Sequence, residues 1–379
     1  MNRPVWWRAW LREWRLVYGD TSVLLVIAGG VLFYALLYPL PYHRNVPGEQ
    51  AVAVIDQDRS ALSRQLIRMA DATPQVRIVA RPWSDEQARM LLARGEAHGL
   101  LVIPEHFQRD LYLGRPTSLS YAGDASYFLI YGNVVQGLLT AGTTLGVEAQ
   151  AMRALMQGES PMAIPGEVMP MRLVTKAVFN DDSGYIGYIV PAVFVLILHQ
   201  TLLITAGCVT VRDRLRGGLG LTAPGLALPL RLSVFVLIYL LLAALYFGFF
   251  FHFYEVPRLA GKGALLLVST LLFVTTGLCA LFMGQLLQRP EWPTVVVLVS
   301  SLPIVFTAGF VWPEADMPGW VRGLSWLAPA KPGIMALLKL NQMGAGLDAI
   351  RPELTGLVVQ ALGYGGAVVL MARRQAARA

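Results

Sequence analysis

The sequence predicts a polytopic α-helical membrane protein with six transmembrane helices and an α/β extracytoplasmic domain inserted between helices 1 and 2. Three observations lead there. The chain is 55% hydrophobic and only 15% charged over 379 residues, whereas roughly a quarter of the residues of soluble domains are charged. Six stretches lack Asp, Glu, Lys and Arg over about the 20 residues an α-helix needs to cross a hydrocarbon core of about 30 Å. Between the first two lies a long segment in which short apolar runs alternate with helical patterns, the mark of a compact α/β domain.

Residues 1–21 come first. Trp7, Trp10, Leu11, Trp14, Val17 and Tyr18 recur at three- and four-residue spacing, with Arg8, Arg12 and Arg15 on a neighbouring stripe. This reads as a cytoplasmic amphipathic interfacial helix. Trp7, Trp10, Arg12 and Trp14 are its candidate contacts with membrane lipids, because ring and stem suit apolar surroundings while the polar end stays wet. A basic flank to a signal anchor is the plainer alternative. The first span, 22–41, is longer than the apolar core of a cleaved signal peptide, and 36–41 offers no small-residue cleavage site. It is expected to be a retained anchor.

Residues 42–183 form the insert. Short strands are predicted at 51–55 (AVAVI), 76–80 (VRIVA), 98–103 (HGLLVI) and 117–122 (TSLSYA). Helices are expected over 60–69, from Ser84 with Glu86 and Gln87 near the reciprocal capping position, and from Pro104. No proline interrupts 125–156, which predicts one long helix or a helical pair. The alternating string 171–179 (MRLVTKAVF) reads as a strand leading back to the membrane.

Residues 184–379 hold the other five spans, 185–211, 232–253, 264–287, 294–312 and 354–371. The first two of these are joined by 211–231, short, basic and punctuated by Gly and Pro. Arg212, Asp213, Arg214, Leu215 and Arg216 are its candidate contacts with a cytoplasmic motor, with simple positive flanking as the alternative. After the fifth span, 312–352 is too polar to cross. With Trp312, Trp320 and Trp326 as aromatic anchors it suits short interfacial or re-entrant helices on the outer face. Gly309, Phe310, Pro313, Met317, Pro318 and Trp320 are the candidate residues there.

Six spans put both termini on one side, and the bias of Lys and Arg selects that side. The N-terminal segment, the loop after span two, Arg289 and the tail together hold 12 arginines against four acidic residues, while the other 19 basic residues are outnumbered by 20 acidic ones. Both termini are therefore expected in the cytoplasm of a cell whose inner membrane the chain crosses. The net charge of +7 is accounted for by this bias and needs no nucleic-acid partner.

Searches for chemistry are negative. The one Gly-Lys pair, Gly261-Lys262, lacks the other residues of a phosphate-binding loop, so no nucleotide cofactor is expected on this chain. The five histidines are scattered without the spacing of a zinc site, and the nucleophile elbow is absent. Cys208 and Cys279 fall inside spans and support neither a disulfide framework nor a metal site. Polar groups inside a bilayer are costly, which makes His199, Gln200 and Gln285 candidates for a substrate path or for bonds between helices.

Five strings in order carry a family resemblance: VAVIDQDRSALSRQLIR (52–68), ARGEAHGLLVIPEHFQRDLYLG (93–114), YAGDASYFLIYG (121–132), FNDDSGYIGYIVPAVFVLILHQTLL (179–203) and TAGFVWPEADMPGW (307–320). Together with one anchor, a large insert and five further spans, they make the chain resemble the permeases of ABC type-2 transporters, in particular bacterial exporters with a large periplasmic domain. The resemblance extends over essentially the whole chain. It departs from the family pattern after span two, where Arg212-Asp213-Arg214 and Gly217-Gly218 replace an acidic-Arg-acidic run with a following Gly-Thr. It implies a transport subunit without enzymatic activity, moving a lipophilic or amphiphilic cargo outwards. The implied partners are a cytoplasmic ATPase that binds ATP and Mg, a second permease subunit, identical or not, and a periplasmic adaptor with an outer-membrane channel. A membrane receptor with an extracytoplasmic ligand-binding domain is the alternative, against which stand the short cytoplasmic pieces.

Overall fold

The tryptophan-rich segment forms helix α1 (Val5–Tyr18), and Asp20 stops it and starts the next helix. The Asp20 carboxylate accepts the Ser22 and Val23 amides at 3.1 and 3.4 Å, satisfying donors that a helix start leaves open. Helix α2 (Thr21–Tyr42) follows, and its turn is widened into a π-helical segment over Leu25–Gly30. The computed structural model describes residues 5–42, 48–123, 128–156, 184–217 and 224–376. They divide into two compact units, residues 1–43 with 177–379, and residues 44–176.

The second unit is an α/β sandwich. In chain order it contains β1 (Gln50–Asp56), α3 (Ala61–Asp71), β2 (Val76–Ala80), α4 (Asp85–Ala93), β3 (Gly99–Ile103), α5 (Phe107–Tyr112), β4 (Ser120–Gly123) and α6 (Phe128–Met156). The sheet order is β2-β1-β3-β4, with β1 parallel to both neighbours and β4 antiparallel to β3. Alternation along β1 sends Val52 and Val54 towards Leu66, Ile67, Leu138 and Leu145 of α3 and α6. Ala53 and Ile55 point the other way, to Ala88 of α4 and Leu100, as a two-residue period requires.

Side chains from the DQDRS string fix this unit. Asp56 accepts the Arg59 amide at 2.9 Å and the Ser63 hydroxyl at 2.8 Å. Asp58 accepts the Gln108 amide in the first turn of α5 at 3.0 Å. Ser60 and Ser84 accept the Ser63 and Gln87 amides at 3.0 and 3.3 Å, capping α3 and α4. The helix expected from Pro104 opens instead at Phe107, because His106 before it takes a left-handed conformation, φ 64°. Of the two alternatives for 125–156, the described part is one helix. The strand expected at 171–179 lies outside the described residues.

The first unit continues with α7 (Ile189–Leu215) and α8 (Pro224–Ala244), which runs on through a π-helical segment, Leu245–Phe250, to Phe253. Then come α9 (Lys262–Leu286), α10 (Trp292–Thr307), α11 (Gly319–Ser325), α12 (Ala330–Asn341) and α13 (Arg351–Ala376). Helix α7 is the centre of this unit: from 190 to 211 every residue except Gln200 and Ile204 is buried. It crosses α9 at near backbone contact, since a Cβ on Gly284 would lie 2.6 Å from Thr210 Cβ and 3.1 Å from the Gly207 carbonyl oxygen. Small residues permit such approach between apolar helices.

Among the described residues, five helices are long and apolar enough to cross a membrane: α2, α7, Pro229–Phe253 of α8, α9 and Leu347–Arg374 around α13. Two sequence expectations are corrected here. The fifth expected span, 294–312, is not one continuous helix. Helix α10 has 16 residues, about 24 Å at 1.5 Å per residue, and ends where Gly309 adopts φ 98°. The expected loop 211–231 is largely helix: α7 carries its last turn through Leu215, and α8 begins at Pro224.

Candidate functional site

A cluster of four charged side chains joins α1 to the facing ends of α7 and α8. The Arg231 guanidinium, 2% exposed, donates from Nε to Glu13 Oε2 at 2.7 Å and from Nη2 to Asp213 Oδ2. Arg12 donates to Asp213 Oδ1 at 2.6 Å and to Glu13 Oε1 at 3.0 Å. Two carboxylates thus alternate with two guanidiniums, and Glu13 and Asp213 are buried at 4% and 5% exposure. A charge removed from water persists only when paired and hydrogen-bonded, so this ring welds α1 to the α7–α8 hairpin. Trp10 adds a bond from Nε1 to the Ser233 hydroxyl at 3.2 Å. Trp7, Trp10, Trp14 and Tyr18 contact one another in succession with ring centroids 5.2 to 5.5 Å apart, the Trp7–Trp10 and Trp14–Tyr18 pairs stacked and Trp10–Trp14 edge to face. Trp10 and Trp14 pack on the helical core, so the aromatic stripe that reads as a lipid contact in sequence is in part turned to protein.

The neighbouring arginines are also engaged. Arg212 pairs with Asp20 and donates to the Ser22 hydroxyl at 3.2 Å, tying α7 to the start of α2. Arg214 donates to the carbonyls of Gln285 and Leu287 and so caps the last turn of α9, where a cation also meets the negative end of the helix dipole. Leu215 and Arg216, by contrast, are exposed.

Inside the helices, the candidate polar residues divide. Gln200 donates to the Ser301 hydroxyl at 2.9 Å, joining α7 to α10. Gln285 donates to the Val368 carbonyl at 3.3 Å, joining α9 to α13. His199 is wholly buried, and neither of its ring nitrogens has a hydrogen-bond partner among the described residues. The three residues do not converge on one site.

In the segment after α10, Phe310 and Met317 are buried, while Pro313, Pro318 and Trp320 face outwards. What holds this segment is a residue that the sequence reading did not select. Lys331, 2% exposed, donates from Nζ to Glu314 at 2.9 Å and to the Ser325 hydroxyl at 2.8 Å, over the Trp326 ring. Partial burial pushes the Glu314 carboxyl up, and the hydrogen bond and charge of Lys331 more than offset this, leaving it below the usual carboxylate range. Glu13 and Arg231 also escaped selection. A lone acid inside an arginine stripe, and an arginine at the mouth of an apolar run, were the available signals. No group of three or more His, Cys, Asp or Glu suited to a metal occurs among the described residues.

The profile of the family described as ABC-2 family transporter protein matches residues 21–370. Two curated relatives, each named probable multidrug ABC transporter permease YbhR, come from Escherichia coli strain K12 and E. coli O157:H7. Each is 23% identical over 397 aligned residues, covering 96% of this chain and 99% of the relative.

Proposed function

The chain belongs to the ABC-2 family of transporter proteins, and on that premise we propose that it is the transmembrane permease subunit of an ATP-driven exporter. Its cargo is lipophilic or amphiphilic and leaves the cytoplasm or inner membrane. A separate ATPase subunit binds ATP and Mg, a second permease subunit completes the pathway, and an adaptor with an outer-membrane channel extends it. Both termini lie in the cytoplasm, and the α/β unit lies outside.

The observation that best supports a coupling role is the buried ring of Arg12, Glu13, Asp213 and Arg231. A force applied at the facing ends of α7 and α8 reaches α1 without slack when the charges are paired in this way, because separating them in a low-dielectric site is expensive. Arg212, Asp213 and Arg214 then serve coupling by holding these ends, and the exposed Leu215 and Arg216 are the direct contacts with the motor.

Two measurements test this. The purified permease should hydrolyse no ATP, and hydrolysis should appear with its ATPase subunit; turnover by the chain alone would overturn the reading. Leu215→Asp with Arg216→Glu should lower co-purification of the ATPase about tenfold or more, as loss of contacts worth about 1.4 kcal/mol or more would do, and leave the permease monodisperse. Undiminished co-purification would remove these two residues from the contact.

A further inference from the structure

A cavity of about 630 Å³ opens between α8 and α9, a size that suits a small organic ligand. Its walls are apolar, with Leu240, Phe247, Leu265 and Leu266 contributing. Two cations, Arg258 and Lys262, also line it and are exposed. Neither is in an ion pair among the described residues, and no carboxylate is among the described residues lining the cavity. Lys262 opens α9 after Gly261, which provides no side-chain cap, so the positive end of a 25-residue helix points to the same region.

Deeper in the wall are two polar side chains, each 2% exposed, Ser269 and Asn341. Ser269 Oγ and Asn341 Nδ2 have no hydrogen-bond partner among the described residues, although buried polar atoms are nearly always satisfied. The rest of Asn341 is committed to shaping the site. Its side-chain oxygen accepts the Ala260 amide at 3.4 Å and its carbonyl accepts the Leu259 amide at 3.0 Å, which pins the turn that carries Arg258. Phe247 and Gly248 come from the π-helical segment of α8, and Arg258 reaches the Gly248 carbonyl at 3.3 Å. Single π-helical turns inside α-helices are often retained where a ligand is met.

We infer that this cavity binds an anionic amphiphile, its apolar chain lying against Leu240, Phe247 and Leu265 and its charged head held by Arg258, Lys262 and the start of α9. An apolar ligand would leave both cations without a counter-charge, and a free inorganic anion would leave the apolar wall uncovered. The site does not depend on the transport reading and is testable on the permease alone.

The test is lipid retention by the full-length protein purified in a neutral detergent, followed by native mass spectrometry. The probes are phosphatidylglycerol, phosphatidylcholine with matched chains, oleate and inorganic phosphate. One phosphatidylglycerol should bind per chain about tenfold or more tighter than phosphatidylcholine, since each Lys or Arg near a membrane surface contributes about fivefold towards an anionic lipid and two of them line this cavity. Arg258→Gln with Lys262→Gln should bring the two lipids to equal affinity, and Ala244→Trp, which fills the cavity, should weaken both. Oleate binding in competition with phosphatidylglycerol supports the same chemistry and identifies a free amphiphile as the source; phosphatidylglycerol binding without oleate identifies the bilayer lipid. Equal affinity for the two phospholipids in the unaltered protein overturns the inference. So does discrimination that survives the double substitution, or displacement of the lipid by phosphate alone.

Discussion

At the scale of single residues, the chain uses buried charge sparingly and in pairs. Arg231 faces Glu13 and Asp213 from a position almost closed to solvent. Arg231→Gln would leave two buried carboxylates with only Arg12 between them, and breaking a buried ion pair from one side costs about 3–5 kcal/mol. Arg12→Gln should cost distinctly less, because the Arg12 side chain is 35% exposed and water can replace part of what is lost. Thermal melting in detergent, read by the loss of the monodisperse peak, would rank the two; equal losses would mean that burial does not set the energy of this ring. The Glu314–Lys331 pair makes a pH-dependent prediction. Glu314 titrates below the usual carboxylate range in the folded protein, so the unfolded chain takes up its proton first as the pH falls. Its stabilisation is therefore complete above the ordinary value of about 4.3 and is lost as pH drops through the lower, folded value. The melting advantage over Glu314→Gln should be constant from neutral pH to about pH 5.5 and shrink below about pH 4.5. An advantage that grew on acidification would contradict the pairing.

At the scale of elements, local pattern was readable and long-range pairing was not. Apolar length located the five helices that are long and apolar enough to cross a membrane, because a spanning helix must be apolar along its whole run. The four strand strings likewise became β1 to β4, since alternation is enforced by packing on both faces of the sheet. The bond from Arg231 to Glu13 joins residues 218 positions apart, and nothing local in either string encodes it. For the same reason Gln200 and Gln285 stood out as polar residues in apolar runs, while their partners Ser301 and Val368 did not. The helical end of α7 was misread as loop because a basic, polar turn resembles a connection; Arg214 bonding to the end of α9 keeps it helical. Packing between elements gives its own test. Gly284→Ala places a methyl group 2.6 Å from Thr210 Cβ at the α7–α9 crossing, and overpacking of this kind costs about 1–3 kcal/mol. Gly363→Ala in α13 meets no atom within 4 Å and should leave stability unchanged or raise it by up to about 1 kcal/mol, as alanine replaces glycine inside a helix. Equal melting of the two variants would show that the crossing has room to yield.

At the scale of the whole molecule, one short helix decides the topology. Helix α10 spans only about four-fifths of a typical hydrocarbon core, by its 16 residues and a rise of 1.5 Å each. Yet from Val295 to Phe306 it is apolar apart from Ser300 and Ser301, with Leu298, Val299 and Leu302 each more than 60% exposed, the surface of a helix that faces lipid or another apolar chain. Arg289 before it and Trp312 and Trp320 after it are the residue types that settle at the two membrane surfaces. Bilayers thin locally around short helices at modest cost, so the expected outcome is that α10 crosses. Cysteines placed at Arg289 and Trp320, on a background with Cys208 and Cys279 changed to Ala, should react with a membrane-impermeant maleimide from opposite sides. Trp320→Cys should label in intact spheroplasts, and Arg289→Cys only after permeabilisation, together with Arg216→Cys. If Arg289→Cys and Trp320→Cys label from the same side, the crossings number five, the termini lie on opposite faces, and Arg216 and the C-terminal arginines cannot share one cytoplasmic surface.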